Sequence, residues 1–147
     1  MTKMKNLFAE TYEKVIALNH RYEVAATEEE KDEIRSEYNA AMKPIEDLGN
    51  VASYIWNEYF NSIKNGNVTL DLHDNFSESY VQSIINCIRE NGIEKFTFSS
   101  SWSSAVDVAW LFLKNGCTLI GLVEINGNKG LFKEHHEKLH AYLFKVN

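Results

Sequence analysis

Proline is almost missing from this chain and cysteine is scarce: Pro44 is the one proline, and Cys87 and Cys117 are the two cysteines. Neither cysteine has a CxxC neighbour, which excludes a zinc ribbon and a thioredoxin-type redox site. Cys87 falls in a helical pattern and Cys117 opens a strand pattern, so two buried free thiols in a reducing cytoplasm are expected. No apolar run approaches the roughly 18 residues of a membrane span. Met1–Asn6 is basic but leads into an amphipathic stretch rather than an apolar signal core. Clusters of Lys and Arg are also missing, and the formal charge is −6. Nucleic-acid binders draw their non-specific affinity from neutralised phosphates, so direct contact with DNA or RNA is not expected.

What is present is ordinary for a globular chain. Its 147 residues suit one domain, and 12% aromatic content supplies apolar surface that disordered chains lack. Acidity is uneven: residues 1–49 carry seven basic and eleven acidic side chains, residues 50–147 eight and ten. Much of the excess sits in Glu28, Glu29, Glu30, Asp32, Glu33 and Glu37. Such a run forms either a solvated face or a surface that steers toward a basic partner protein.

Three helices are expected before residue 65. Leu7, Phe8, Tyr12, Val15, Ile16 and Tyr22 recur at helical spacing over 4–24. Thr27 and Glu30 have the spacing of a capping box for the second helix, and Pro44 with Gly49 predicts a kink or break between 41 and 50. Val51, Tyr54, Ile55, Tyr59 and Ile63 mark the third.

A punctuation then repeats three times. Asn65-Gly66, Asn91-Gly92 and Asn115-Gly116 each close a helical run and precede a strand-like one: 68–72, 93–98 and 117–123. This order predicts parallel β-α-β units. The third run is nearly all apolar, as in a strand covered on both faces. Asn126-Gly127-Asn128 signals a turn, 131–139 reads as a short helix or loop, and 140–146 as a last strand antiparallel to the third. The expected fold is α/β, with α+β as the alternative: a helical arm over 1–65 and a β-α-β-α-β-β sheet domain over 66–147, forming one compact unit.

Three groups of residues are candidates for a site. Ligands of open α/β sheets bind beyond the carboxyl ends of the strands. His73 and Asp74 follow the first strand; Ser99, Ser100, Ser101 and Trp102 follow the second. Serines at a helix start cap it, and free N–H groups there attract anions. The rim is therefore a candidate for a small anion or the acidic tail of a partner. Without glycine or lysine it is neither a Walker loop nor a GxGxxG element, and no GxSxG elbow occurs. Second, His136-Glu137-Lys138-Leu139-His140 spells HExxH, which on a helix presents two imidazoles to zinc, with His73, His135 or a cysteine available to complete a structural site. Third, Tyr54, Trp56, Tyr59 and Phe60 crowd one helix, forming either an exposed interface or the seam between arm and sheet.

The segment Phe98-Ser99-Ser100-Ser101-Trp102-Ser103-Ser104-Ala105-Val106-Asp107-Val108-Ala109-Trp110-Leu111-Phe112, with Asn115-Gly116-Cys117 and Gly121 to Asn126, is similar to an uncharacterised family of small proteins from phages and conjugative elements of gut Gram-positive bacteria. The likeness covers about a third of the chain, roughly 95–145, and carries no catalytic motif. It implies a mobile-element setting, where small acidic proteins resemble inhibitors of host defence such as anti-restriction and anti-CRISPR proteins. The expectation is a non-enzymatic protein-binding module without a cofactor, with a homodimer joined through the arm as a further reading. The alternative is a small-ligand, anion-binding or enzymatic domain using the rim, or zinc at His136 and His140.

Overall fold

A computed structural model describes residues 5–129 and 135–147. Helix α1 (Leu7–Val24) begins where the Asn6 carboxamide accepts the Ala9 N–H at 3.0 Å. Helix α2 (Glu28–Glu46) begins where the Thr27 hydroxyl accepts the Glu30 N–H at 3.1 Å. The Glu30 carboxylate reaches back to the Ala26 N–H, one residue beyond the usual capping-box partner. Pro44 lies within α2, which ends two residues later; Gly49, at φ 102°, turns the chain into α3 (Asn50–Lys64). The expected break is therefore at 47–49. Pro44 lacks the N–H that would bond the Ala40 carbonyl, and the helix ends within the next turn.

Strand β1 (Asp71–Leu72), helix α4 (Glu78–Glu90), strand β2 (Lys95–Phe98), helix α5 (Ala105–Lys114), strand β3 (Cys117–Lys129) and strand β4 (His136–Val146) follow. Gly66, Gly92 and Gly116 all take positive φ at the three helix ends, as their Asn-Gly pairs predict. β1 and β2 pair in parallel across α4, the expected β-α-β unit.

The third strand departs from expectation. The sheet order is β1-β2-β4-β3, so β4 lies between β2 and β3 and is antiparallel to both. β3 is an edge strand rather than a covered one, with Leu119 43%, Ile120 48% and Leu122 73% exposed. It also runs through Asn126-Gly127-Asn128, which form an irregular stretch in the ladder instead of a turn. Of the segment 131–139, residues 131–134 lie outside those described. His136–Leu139 belong to β4 rather than to a helix, because the hairpin ladder continues to the pair Lys129–His136.

One hydrophobic cluster joins both halves. Phe96, Phe98 and Phe144 from the sheet surround Phe112 of α5, with ring centroids 4.9, 5.5 and 5.5 Å away. Phe8 of α1 meets Tyr59 of α3 at 6.0 Å within the same cluster. Tyr54, Trp56, Tyr59 and Phe60 form the seam: Tyr12 and Phe8 approach from the arm, Phe76 and Tyr80 from the sheet side.

Gly92 couples backbone strain to packing. Its φ is 86°, and an added Cβ would sit 2.7 Å from the Lys5 carbonyl carbon and closer still to its oxygen. Gly49 has a similar φ but open space around it. Gly92→Ala should lower stability by about 2 kcal/mol or more, and Gly49→Ala by only about 1. Urea unfolding of the two variants checks the order; equal losses would mean that the Lys5 backbone simply gives way.

Candidate functional site

The carboxyl end of β1 gathers charge because strand alternation sends its residues to opposite faces. Leu72 pairs with Phe98 and faces the phenylalanine core, while Asp71, paired with Thr97, turns to the other side. There Asp71 accepts from the Thr97 hydroxyl at 2.7 Å and from the Ser99 hydroxyl at 2.5 Å. Its backbone N–H donates to Ser62 Oγ at 3.0 Å, which fixes β1 beside α3.

His73, two residues on, shares that side. Its Nδ1 lies 3.7 Å from Asp71 Oδ2 and 3.6 Å from Glu58 Oε2, and its Nε2 lies 3.9 Å from Asp74 Oδ1. The Tyr54 hydroxyl donates to the other oxygen of Asp74. Tyr54 and Glu58 are one helical turn apart on α3, so both reach the same strand end.

Tyr54 and Asp74 line a neighbouring hollow with Phe76 and Tyr80, while Glu58, Asp71, His73 and Ser99 open on a cavity of about 500 Å³. Glu58, Asn61, Ser62 and Asn65 line it from α3; Asp71, His73 and Ser99 from the strand ends; Glu137 and Leu139 from β4. Ser101 and the exposed Trp102 stand at its rim. The far wall is a clamp of amides. Asn67 donates to the Asn126 carbonyl at 2.8 Å and accepts the Asn126 N–H at 2.8 Å, and Asn65 donates to Asn128 at 2.8 Å. Among the described residues, no Lys or Arg lines the cavity.

The electrostatics follow from that lining. Asp71 beside Nδ1 raises the His73 pKa to about 9 against partial burial, with the Glu58 and Asp74 charges adding to it. Glu58 titrates above the usual carboxylate range because it is desolvated and faces Asp74 and Asp71, though His73 pulls it down. Tyr54 is held above its ordinary value by burial first and by Asp74 second. At neutral pH the site is an imidazolium among carboxylates, an environment that suits cationic or hydrogen-bond-donating ligands better than anions.

Of the rim residues expected from sequence, His73, Ser99, Ser101 and Trp102 border one cavity, and Asp74 stands beside His73. Ser100 accepts the Trp102 N–H at 3.1 Å and shapes the turn. Ser104 occupies the α5 N-cap position but makes no side-chain cap bond. The sequence pattern singles out neither Glu58 nor Asp71, and it places Tyr54 in the aromatic group rather than beside Asp74. Asp71 was the visible signal: a carboxylate inside an otherwise apolar strand must have a partner.

HExxH takes a different form from the one expected. It lies on β4, where residues four apart are separated by roughly 13 Å, so His136 and His140 cannot share one ion. His136 Nδ1 instead faces the Gly127 carbonyl at 2.9 Å, and His140 is exposed. His135 precedes the strand and is exposed.

The acidic residues of α2 are partly used within the arm. Arg21 pairs with Glu37 at 2.7 Å, Lys31 with Glu28 at 3.7 Å and Arg35 with Asp32 at 2.6 Å, while Glu30 caps Ala26. Glu29 and Glu33 have no ion pair among the described residues.

Fold and site together define a small mixed α/β domain with an acidic cavity at the carboxyl end of its parallel strand pair. Residues 54–146 match the family described as Domain of unknown function (DUF7698), and the chain belongs to that family. No curated protein and no solved structure matches the chain. Every cavity residue named above falls inside the matched span, and the acidic run of α2 falls outside it.

The raised His73 pKa sets a pH dependence. Folding stabilises the imidazolium, so this contribution is fully present below the ordinary value of 6.5 and is lost as pH rises through about 9. With chelator present, the urea midpoint should fall between pH 6 and 9.5, and His73→Gln should flatten that fall. A variant with the wild-type slope would remove His73 as its source.

Proposed function

We propose that this chain is a binding domain for a small organic ligand carrying amine or hydroxyl donors, held in the acidic cavity. One observation carries the reading: Glu58, Asp71, His73 and Ser99, from three separate segments, converge on one concave space of about 500 Å³, with Asp74 behind His73. Such convergence of polar groups in a formed pocket is the usual mark of a ligand site. Carboxylates accept donors from the ligand, and the exposed Trp102 ring at the rim offers a face for an aliphatic or cationic part. The acidity favours this class over the phosphate-like anion that the serine turn alone suggests. Among the described residues no helix is long and apolar enough to cross a membrane. The two free thiols support a cytoplasmic setting.

An NMR titration of the full chain with a panel of amino sugars and small diamines tests it. Amides of Asn61, Asn65, Ser99, Ser101 and Trp102 should shift saturably, and Glu58→Gln should weaken the response by about tenfold. Inorganic phosphate should leave those amides in place. A panel that moves none of them at millimolar concentration would end this reading.

A second reading, protein binding of the kind implied for a mobile-element inhibitor of a host nuclease, is favoured by a different surface. Leu119, Ile120 and Leu122 lie exposed on the β3 edge, and Val106, Trp110 and Leu113 expose a stripe on α5. Unpaired strand edges with apolar side chains are templates for a partner strand. Glu29 and Glu33 add acidity elsewhere on the arm. In a pull-down of the tagged chain from lysate, a partner held at the edge should be lost with Leu122→Lys, and one steered by the arm with Glu29→Lys plus Glu33→Lys. Recovery of the same partner by both variants would count against both surfaces.

A further inference from the structure

We propose that Glu58, His73 and Asp74 bind a divalent first-row transition ion such as Mn²⁺ or Zn²⁺ at the wall of the acidic cavity. This deepens the small-ligand reading by naming an inorganic occupant of the same cavity, and it rests on that reading only for the place of the site. One donor atom from each of the three residues lies within 4.8 Å of the others, the one such trio among the described residues. Ligands around one ion stand about 3 Å apart, given metal–donor bonds of roughly 2.0–2.2 Å, so a small inward movement closes the set.

The surroundings orient each donor. Tyr54 occupies one oxygen of Asp74 and leaves Oδ1 toward His73 Nε2, 3.9 Å away. On the Nδ1 edge of the ring Glu58 stands 3.6 Å and Asp71 3.7 Å away, and Asp71 is itself fixed by Thr97 and Ser99. A carboxylate anchored behind an imidazole is the outer-shell arrangement that fixes tautomer and ring orientation in metal-bound histidines. Glu58 comes from the facing helix α3 and has a side chain only 18% exposed. Two carboxylates and one imidazole suit Mn²⁺, Fe²⁺ or Zn²⁺ better than an all-oxygen ion such as Ca²⁺. Three protein donors leave a coordination position facing the cavity, where water or the donor of an organic ligand completes the shell. Among the described residues no Lys or Arg lines the cavity to compete for the carboxylates, and His73 releases its own proton when it ligates the ion.

The test uses the full chain stripped with chelator. Calorimetric titration with Mn²⁺ and with Zn²⁺ should give saturable one-to-one uptake. Mn²⁺ should broaden the amides around Glu58, His73, Asp74 and Ser99 in the wild-type chain. Glu58→Gln and Asp74→Asn should each weaken uptake by about tenfold or more, and Asp71→Asn, acting through His73, by about tenfold. His140→Gln should leave uptake unchanged. Absent saturation, broadening centred on His135, His136 and His140, or uptake indifferent to Glu58→Gln and Asp74→Asn would each overturn the proposal. The broadening map needs no variant, so a misfolded substitution cannot obscure it. No organic compound is present, so loss of metal binding and loss of amine binding are read separately.

Discussion

Phe144 lies 5.4 Å from Phe96 and 5.5 Å from Phe112, and this contact decides where the last strand goes. Pairing β4 with β2 brings Phe144 opposite Phe96 and Tyr142 opposite Phe98, so the aromatic side chains of two strands share one face under α5. Each aromatic pair adds about 0.5–1.5 kcal/mol beyond its buried area. Had β3 paired with β2, the antiparallel hairpin would have left Phe144 at the edge. The chain instead places its mixed apolar strand, β3, outside, and completes the core with its final residues.

The candidate site is the reverse side of the same strands. Period-two alternation means that burying Leu72 and Phe98 forces Asp71, Thr97, His73 and Ser99 onto the opposite face. Core and site are therefore not independent: a register slip of one residue would exchange them. An isolated buried carboxylate carries a desolvation cost of several kcal/mol. Asp71 offsets it with two hydroxyl donors and a nearby imidazole, at the price of committing Thr97, Ser99 and His73 to one arrangement. Glu58 and Asp74 have fewer protein donors facing them, and so keep capacity for something else.

Local rules were legible in the sequence; long-range choices were not. The three Asn-Gly helix ends, the Thr27 cap, the break after Pro44 and the parallel β1–β2 unit depend on neighbours in the chain, and they stand as expected. The place of β4 depends on which strand Phe144 meets, which no window of residues records. The apolar run 117–123 has the composition of a covered strand but occupies an edge, because apolar content reports hydrophobicity and not position in the sheet. HExxH was read at helical period where the structure has a strand. For the site, the carboxyl-end rule located His73, Asp74 and Ser99. Glu58, and the part Tyr54 plays beside Asp74, escaped because both come from α3, which that rule does not address.

The β3–β4 hairpin links the two surfaces that remain open. Near Leu119–Leu122 its edge is apolar and unpaired; toward Asn126–Asn128 it bends and is clamped by Asn65 and Asn67 to the end of α3. That clamp is the cavity's far wall, and Glu137 and Leu139 on the returning strand form its floor. The apolar edge and the cavity wall therefore belong to one two-stranded element, held together by the β3–β4 ladder. The register shift between Asn126 and Lys129 falls at that clamp, so the amides at the end of α3 hold the hairpin where its own ladder is interrupted.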